Sequence, residues 1–288
     1  MKNNFYMPLT ATPFKHNHQY KEVPPQNLEL SKYIRCFWGT EKPYIRQEGD
    51  ADVSLVIPDT CVDVIYFIDY TENTITGGFC GMNDVSFLSY DGRKYGHLVS
   101  VFAIRFYAWG AYVFSEDSLK GTVNKYDDVE SRFCRLDRTL GRQLTEKHSL
   151  EERRGIVEDF FSRQLSQARH NEIIDGAVRQ VIIQKGGVCA SELAKACFVS
   201  SRQLERLFHE YIGITPKKLC NLVRYQCLWN GILRNPRLSI QDAVYQYGYT
   251  DQSHLIREFK RYHTMDIAKA RRYAYQNVGN IQYVPGRS

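Results

Sequence analysis

Residues 250–263, TDQSHLIREFKRYH, combine hydrogen-bonding side chains with an apolar stripe. At about 100° per residue in a helix, the apolar side chains share one face, and the hydroxyl and cationic side chains share the other. The inner face consists of Leu255, Phe259 and Tyr262, and the outer face of Ser253, Arg257 and Lys260. Arginine binds guanine through two hydrogen bonds, glutamine pairs with adenine, and serine at a helix N-terminus holds phosphate. The stretch therefore has the chemistry of a helix that binds DNA.

The same arrangement occurs 51 residues earlier in the chain. The aligned pairs are Leu204 with Leu255, Arg206 with Arg257, Phe208 with Phe259, and Tyr211 with Tyr262. In each copy a short helix, SELAKAC or SIQDAVYQ, precedes a turn, and the second helix begins at a cap, Ser200 in the first copy and Thr250 or Asp251 in the second. The upstream helices align at an offset of 50, so the second turn has one extra residue. A single amphipathic helix usually presents only a solvated face, but its duplication predicts two helix-turn-helix units.

A long helix is predicted between the two units, from the sequence TPKKLCNLVRYQCLWNGILRN. Its roughly 17 residues span about 25 Å. Such a helix would place two recognition helices in successive major grooves, about 34 Å apart. The residues predicted to contact DNA are Ser200, Ser201, Arg202, Gln203, Arg206, His209, Asp251, Gln252, Ser253, His254, Arg257, Lys260, Lys217 and Lys218.

Positive charge is concentrated in this part of the chain. The whole sequence of 288 residues carries a net charge of +6, but residues 168–288 hold 18 Lys and Arg against 9 Asp and Glu. The first 167 residues hold 20 basic and 23 acidic groups. A basic module joined to a slightly acidic one indicates that only the C-terminal part meets a polyanion.

The N-terminal half is rich in strand signals. SLVIPDTCVDVIYFIDY and HLVSVFAIRFYAW contain β-branched and aromatic runs, with turns between them. We therefore expect an α+β chain, with a β-rich sensor domain (sheet or small barrel) followed by an all-α domain with two helix-turn-helix units joined by a long helix. The predicted divisions are a loosely held lead-in at 1–29, a sensor or dimerisation domain at 30–145, a linker helix at 146–172 that begins at Ser149 with Glu152 three residues on, a DNA-binding domain at 173–273, and a tail at 274–288.

A ligand pocket in the β-rich half needs apolar walls and a few polar groups. Arg105 is the most informative candidate, because a guanidinium within an apolar strand needs a partner, either Asp63 or an anionic effector. The ligand-binding candidates are Arg105, Trp109, Asp63, Trp38 and Tyr107. His16 and His18 have the spacing of two metal ligands, but no further ligands follow, so neither a metal nor a cofactor is expected.

The order LAKACFVSSRQLERLF, GITPKKL, LVRYQ and LSIQDAVYQYGYTDQSHLIREFKRYH, within residues 173–272, resembles the DNA-binding domain of AraC/XylS-type transcription regulators. The resemblance implies a seven-helix domain whose two recognition helices occupy adjacent grooves of promoter DNA beside RNA polymerase. Ala243-Val244 replaces the family's usual Ile-Ala, and residues 264–267 replace its usual Gly-x-x-Pro. The N-terminal half is similar, more loosely, to a sensor domain of some members, through residues 57–59, 63–67, 77–78, 104–106 and 110–112. Related chains tend to have Pro-Gly where this chain has Ala108-Trp109.

The leading hypothesis is a regulator without catalysis, bound to double-stranded promoter DNA and modulated by a small-molecule effector or partner at the N-terminal domain. The alternative is a ligand-independent regulator whose N-terminal half only forms a homodimer. A DNA-repair methyl acceptor would need four clustered cysteines, and the first four here are scattered from 36 to 134. Neither a signal peptide nor an apolar run of about 18–20 residues is present, so we expect a cytoplasmic protein without membrane association.

Overall fold

A computed structural model of the protein describes residues 6–10, 20–48, 53–90, 92–235 and 237–276. Antiparallel strands dominate the first half and helices the second, which confirms the predicted α+β class. The strands are β1 (Tyr20–Val23), β2 (Ile34–Thr40), β3 (Tyr44–Ile45), β4 (Val53–Val56), β5 (Cys61–Asp69), β6 (Thr74–Cys80), β7 (Phe87–Tyr90), β8 (Leu98–Tyr107) and β9 (Tyr126–Asp128). The helices are α1 (Ala108–Phe114), α2 (Glu130–Glu146), α3 (Leu150–Gln164), α4 (Glu172–Ile183), α5 (Ala190–Ala196), α6 (Ser201–Tyr211), α7 (Pro216–Arg234), α8 (Ile240–Gln246), α9 (Gln252–His263) and α10 (Ile267–Gln276).

Seven strands form one antiparallel sheet in the order β1-β2-β8-β5-β6-β9, with β3 paired to β8, and β4 and β7 form a second, two-stranded sheet. Strand side chains alternate between the two faces of a sheet. On β5 the even-numbered residues Val62, Val64 and Tyr66 are fully buried toward α2 and α3, which pack on β6 and β2. The odd-numbered residues Cys61, Asp63, Ile65 and Phe67 face a cavity between the large sheet and the two-stranded sheet.

Helix α3 is anchored to the large sheet by buried polar contacts. Ser149 and Glu152 form the capping box that their spacing predicts, with the Ser149 hydroxyl accepting a hydrogen bond from the Glu152 N–H at 3.2 Å. The fully buried Arg153 donates to the Ser100 hydroxyl at 2.6 Å and to the Tyr70 hydroxyl at 2.8 Å. Because a buried guanidinium is stable only when its donors are satisfied, these bonds fix α3 to the sheet.

The expectation of a loosely held lead-in at 1–29 is wrong for residues 6–10. Tyr6 and Leu9 are buried in the hydrophobic core, and the Tyr6 hydroxyl hydrogen-bonds the Thr60 hydroxyl at 2.9 Å. Apolar burial and backbone hydrogen bonds to α7 outweigh the polar composition of this segment. His16, His18 and residues 277–288 of the predicted tail lie outside the described residues.

The core runs without interruption from the sheet into the helical part. Its most informative polar member is Gln226 on α7, which is 0% exposed. The Gln226 Oε1 accepts from the Leu9 N–H at 2.7 Å, while its Nε2 donates to the Leu9 carbonyl at 2.9 Å and to the Pro58 carbonyl. A single amide side chain therefore joins the connecting helix to both the lead-in and the loop before β5.

Seven helices, α4 to α10, make up the C-terminal part within the described residues, and the 19-residue α7 is the predicted connector. The duplication is visible in the backbone. Phe198 and Gly248 occupy the left-handed region in the two turns, at φ 57° and 67°, and Gly213 and Thr264 occupy it after the two recognition helices, at φ 86° and 60°. The two units thus share a conformation at positions where only one of each pair is glycine.

No helix in the described part of the chain combines the length and apolar character needed to cross a bilayer.

Thr264 is a branched residue in a conformation that favours glycine, at the cap after α9. Thr264→Gly is expected to raise the free energy of unfolding by about 0.5–1 kcal/mol, because relief of left-handed strain exceeds the entropic cost of glycine. The reverse change, Gly213→Thr, should destabilise the protein, because a Cβ there would lie 2.7 Å from the Leu119 carbonyl oxygen. Urea unfolding at 25 °C measures both, and a Thr264→Gly variant no more stable than the parent would contradict the strain.

Candidate nucleic-acid interface and the N-terminal cavity

Helix α6 presents a polar face at its N-terminal end. The Ser200 hydroxyl accepts a hydrogen bond from the Gln203 N–H at 3.2 Å, and this cap starts the helix. Leu204, Leu207 and Phe208 are buried in the core. The exposed residues of the first two turns are Ser201, Arg202, Gln203, Glu205 and Arg206. These side chains are accessible to a partner as large as double-stranded DNA.

Helix α9 repeats this arrangement. The Asp251 carboxylate accepts from the His254 N–H at 2.7 Å and caps the helix. Of the two caps that the sequence allowed, Asp251 is the one used. Leu255, Phe259 and Tyr262 are buried. The exposed residues are Gln252, Ser253, Ile256, Arg257, Lys260 and Arg261.

The inner face of α9 is fixed to α7 by an ion pair and a buried histidine. The Arg224 guanidinium donates to both carboxylate oxygens of Glu258, the nearer at 2.9 Å, with side chains 13% and 9% exposed. His263 lies under the Trp229 ring, and its Nδ1 is 2.7 Å from the Tyr225 hydroxyl. Burial lowers the pKa of His263 to about 4, so the imidazole is neutral at pH 7. The orientation of the second recognition helix is therefore set from behind.

Three predicted contact residues are placed differently from the rest. The His254 imidazole accepts from the Thr250 N–H at 3.5 Å and is half-buried. His209 is half-buried as well. Lys218 is half-buried and forms an ion pair with Asp84 of the N-terminal half, whereas Lys217 is exposed.

The two recognition helices are held at their C-terminal ends by the N-terminal half. The Glu210 carbonyl, near the end of α6, accepts from the Leu119 N–H at 3.0 Å. The Tyr262 carbonyl, near the end of α9, accepts from the Ser86 N–H at 3.1 Å and the Ser86 hydroxyl at 2.5 Å. Because these contacts use the C-terminal ends, the N-terminal turns that carry the polar faces stay open to solvent.

A cavity of about 690 Å³ lies between the large sheet and the β4–β7 sheet. Its lining includes three of the five ligand-binding candidates, Trp38, Asp63 and Arg105. The other two, Tyr107 and Trp109, stack on each other at 4.9 Å between ring centroids and do not contribute to the lining. Tyr107 is the last residue of β8, and Trp109 is the second residue of α1.

The partner of Arg105 is Asp63. The Arg105 Nε and Nη2 donate to the two Asp63 oxygens, each at 2.9 Å, and Nη1 donates to the Thr10 hydroxyl at 2.5 Å. The Trp38 indole N–H donates to Asp63 Oδ1 at 2.9 Å. Of the two partners that the sequence left open, the structure thus supplies the internal carboxylate.

Two family models match separate parts of the chain. A family model described as a helix-turn-helix domain matches residues 193–273, which include both recognition helices. The C-terminal part is an AraC-type helix-turn-helix DNA-binding domain. A second model, a domain of unknown function (DUF6597), matches residues 21–126, which include the sheet and the cavity.

Among solved structures, the chain is similar to ToxT from Vibrio cholerae O395, at 12% identity and a TM-score of 0.38, over 91% of this chain and 100% of that one. It is also similar to ToxT from Vibrio cholerae strain SCE256 with an unsaturated fatty acid bound, at 10% identity and a TM-score of 0.37, over 91% of this chain and 95% of that one. No curated protein matches the chain.

The sequence prediction for the AraC-type domain omitted exposed residues beside the predicted ones. Glu205 lies next to Arg206 on α6, and Ile256 and Arg261 flank the predicted residues of α9. Plotting every residue of each helix by its angle, and not only the cationic and hydroxyl ones, would have included them. In the N-terminal half, the segment 83–87 was missed as part of the cavity, because the strand pairing that brings it there is not local in sequence.

Asp59 differs electrostatically from Asp63, four residues away in the same cavity. It is 8% exposed, and its Oδ1 accepts one hydrogen bond, from the Cys61 N–H at 2.9 Å. Burial raises the pKa of the Asp59 carboxyl to about 6, and the nearby Arg105 opposes this effect only in part. At neutral pH the protein therefore holds a poorly compensated carboxylate.

Asp59→Asn and Asp63→Asn are expected to change stability in opposite directions. Ionisation of Asp59 lowers the free energy of unfolding by about 3 kcal/mol at pH 7.5, because the folded pKa of this carboxyl lies about two units above the unfolded value of about 3.9. Asn keeps the hydrogen bond from Cys61 and removes the charge, so Asp59→Asn should stabilise the protein at pH 7.5 and by about half as much at pH 5. The cost falls as pH decreases through 6, because the folded carboxyl becomes protonated first.

Asp63→Asn is the matched change at the paired carboxylate. It leaves the buried Arg105 without its counter-ion and should destabilise the protein by about 3–5 kcal/mol. Urea unfolding of both variants at pH 7.5 and pH 5 measures these differences. Equal destabilisation by the two substitutions would contradict the distinction between a paired and an unpaired carboxylate.

Proposed function

We propose that this protein is a sequence-specific transcription regulator whose AraC-type domain binds promoter DNA and whose affinity depends on a small molecule in the N-terminal cavity. The observation that carries the proposal is the paired exposure of α6 and α9. Arg202, Arg206, Ser253 and Arg257 are all exposed on the N-terminal turns of two equivalent helices, while both C-terminal ends are occupied.

The exposed side chains suit two tasks in DNA recognition. Arg206 and Arg257 occupy equivalent positions one to two turns into their helices, where recognition helices approach base edges. Ser201 and Ser253 lie in the first turns, where hydroxyl and backbone N–H groups bind phosphate. The connecting helix α7 has 19 residues and is about 28 Å long, close to the distance of about 34 Å between successive major grooves.

The link between cavity and DNA-binding domain is supported by the segment 83–87. Asn83, Val85 and Phe87 line the cavity. Between them, Asp84 pairs with Lys218 at the start of α7, and Ser86 binds the Tyr262 carbonyl at the end of α9. One short segment therefore faces the cavity with alternate residues and the DNA-binding helices with the residues between.

A second link runs through the loop before β5. Asp59 lines the cavity, and the carbonyl of the adjacent Pro58 accepts from Gln226 on α7. A ligand that shifts either segment changes the position of α7 relative to the sheet. Differential binding of a ligand to two such arrangements is what couples its site to DNA affinity.

The proposal takes the domain divisions from the sequence, with a sensor or dimerisation domain at 30–145, a linker helix at 146–172, a DNA-binding domain at 173–273 and a tail at 274–288. We also propose that the protein forms a homodimer and contacts RNA polymerase, and both statements rest on the resemblance to AraC-type regulators. The protein is proposed to act without catalysis and without a cofactor.

Arg206→Ala and Arg257→Ala test the DNA interface. Each is expected to weaken specific binding by about 1–3 kcal/mol and to relax discrimination at its base pair. Neither should change the unfolding midpoint, because both side chains are exposed. Fluorescence anisotropy with an operator selected from a random duplex library measures the affinities, and Arg142→Ala, an exposed arginine on α2, is the control. A loss equal for all duplexes would make the residues phosphate contacts, and unchanged affinity would remove them from the interface.

The double variant Asp84→Asn/Ser86→Ala tests the link between the two halves. It removes side-chain contacts that hold α7 and α9 at a fixed position, so specific DNA affinity should fall about threefold to tenfold, with the salt dependence unchanged since no phosphate contact is lost. The matched control, Asp128→Asn/Ser131→Ala, carries the same pair of changes in the N-terminal half, away from these helices. Tighter DNA binding by the first variant would show that the contacts inhibit the domain, and equal affinity would show that they do not position it.

A further inference from the structure

The cavity has one buried end that carries charge. Five side chains compose this end in addition to the apolar wall: Trp38, Asp59, Cys61, Asp63 and Arg105. Arg105 and Asp63 satisfy each other through two parallel hydrogen bonds, and a bidentate pair of this kind has little remaining capacity for an external ion. Arg35, the next cation toward Asp59, is paired with Glu22 at 2.9 Å.

Asp59 is the carboxylate at this end of the cavity that takes part in neither of these ion pairs. Its Oδ1 receives the Cys61 N–H, and among the described residues no donor hydrogen-bonds its second oxygen. The neighbouring thiols do not compete for a cation, because burial raises the pKa of Cys80 to about 12 and that of Cys61 well above its usual range. The charge imbalance at this end is therefore one negative group, more than nine-tenths buried, on the wall of an open cavity.

Aromatic side chains provide the rest of the lining. Phe67 and Tyr126 belong to the large sheet, while Phe87 and Tyr90 belong to the β4–β7 sheet. Phe87, Tyr90 and Tyr126 are 38%, 70% and 57% exposed. Exposed aromatic rings that line a cavity gain burial when a ligand covers them. A volume of about 690 Å³ falls within the range of about 300–1,000 Å³ that holds drug-sized molecules.

We propose that the cavity binds a small organic cation, whose amine or amidine group pairs with the Asp59 carboxylate while its apolar body lies against Phe67, Phe87 and Tyr126. This inference rests on the proposed function, in which the cavity is the effector site. Aromatic faces favour a cation at their centre, and a buried carboxylate with an unused oxygen needs a donor.

An anionic ligand is the opposite case, and two lining cations bear on it. Arg93 lies over the rings of Tyr20 and Tyr44, at 5.8 and 5.7 Å, on the side of β1 and β3. Lys125 is exposed beside Tyr126. Neither is at the buried end, and Arg105, which is, already has its carboxylate. The position of the unpaired charge thus favours a cationic head at the deep end.

Three probes that share a naphthalene body separate these cases: 2-naphthylmethylamine, 2-naphthylmethanol and 2-naphthoate. Isothermal titration of the full-length protein at pH 7.5 should give at least tenfold tighter binding of the amine than of the alcohol or the carboxylate. Asp59→Asn should abolish this preference, and loss of folding cannot explain the result because the variant is expected to be more stable than the parent. Phe87→Ala should weaken the amine and the alcohol alike, which places the body of the probe in this cavity.

Lys125→Met is the control for the opposite charge and should leave amine binding unchanged. Tighter binding of 2-naphthoate, reduced by Lys125→Met, would overturn the proposal in favour of an anionic ligand. Absence of amine binding at millimolar concentration, or an amine preference that survives Asp59→Asn, would also overturn it. Specific DNA binding of the parent protein without any probe is measured alongside, and its absence would count against the proposed function and not against the ligand class.

Discussion

The need to satisfy buried polar groups at the junction between sheet and helices controls this structure. Gln226 lies in the middle of the connecting helix and is completely buried, so its amide must find both donor and acceptor within the protein. It finds them on the backbone of Leu9 and Pro58. An apolar residue would make no directional contact, whereas an amide with three hydrogen bonds fixes the position of α7 relative to the sheet. Since α6 and α9 both pack on α7, this contact helps to set the position of both relative to the sheet.

The junction also explains how two recognition helices can be exposed and held at once. Glu210 and Tyr262 offer carbonyl groups near the ends of α6 and α9, and carbonyls at helix ends have no partner within their own helix. The N-terminal half supplies the missing donors from Leu119 and Ser86. Helix ends that would otherwise need water or a cap thus serve as attachment points, and the opposite ends, with their positive dipole, remain toward solvent where phosphate would approach. Attachment and recognition use opposite ends of the same helices.

The parts of the molecule that were predicted from sequence are those governed by local rules. The helical period and capping residues located α6 and α9, and the offset of 51 residues identified them as copies. The pairing of Asp63 with Arg105 could only be posed as a choice, because it depends on β5 and β8 lying side by side. Lys218 was assigned to DNA from its charge, whereas its actual neighbour Asp84 lies 134 residues away along the chain. Burial of Tyr6 and Leu9 was missed for the same reason. Their neighbours in sequence are polar, and the core residues that they contact are far away along the chain.

The difference between Asp59 and Asp63 links stability to function. Both lie in the loop and strand that begin β5, and both are more than nine-tenths buried, yet only Asp63 has a cation. A fold selected for stability alone has no reason to keep the second carboxylate, since an amide of the same shape would retain the hydrogen bond from Cys61 without the charge. The next residue back, Pro58, binds Gln226 and hence the helix that positions α6 and α9. An uncompensated charge at this place is stabilised whenever a cation enters, and the segment that responds is the one on which the DNA-binding helices depend.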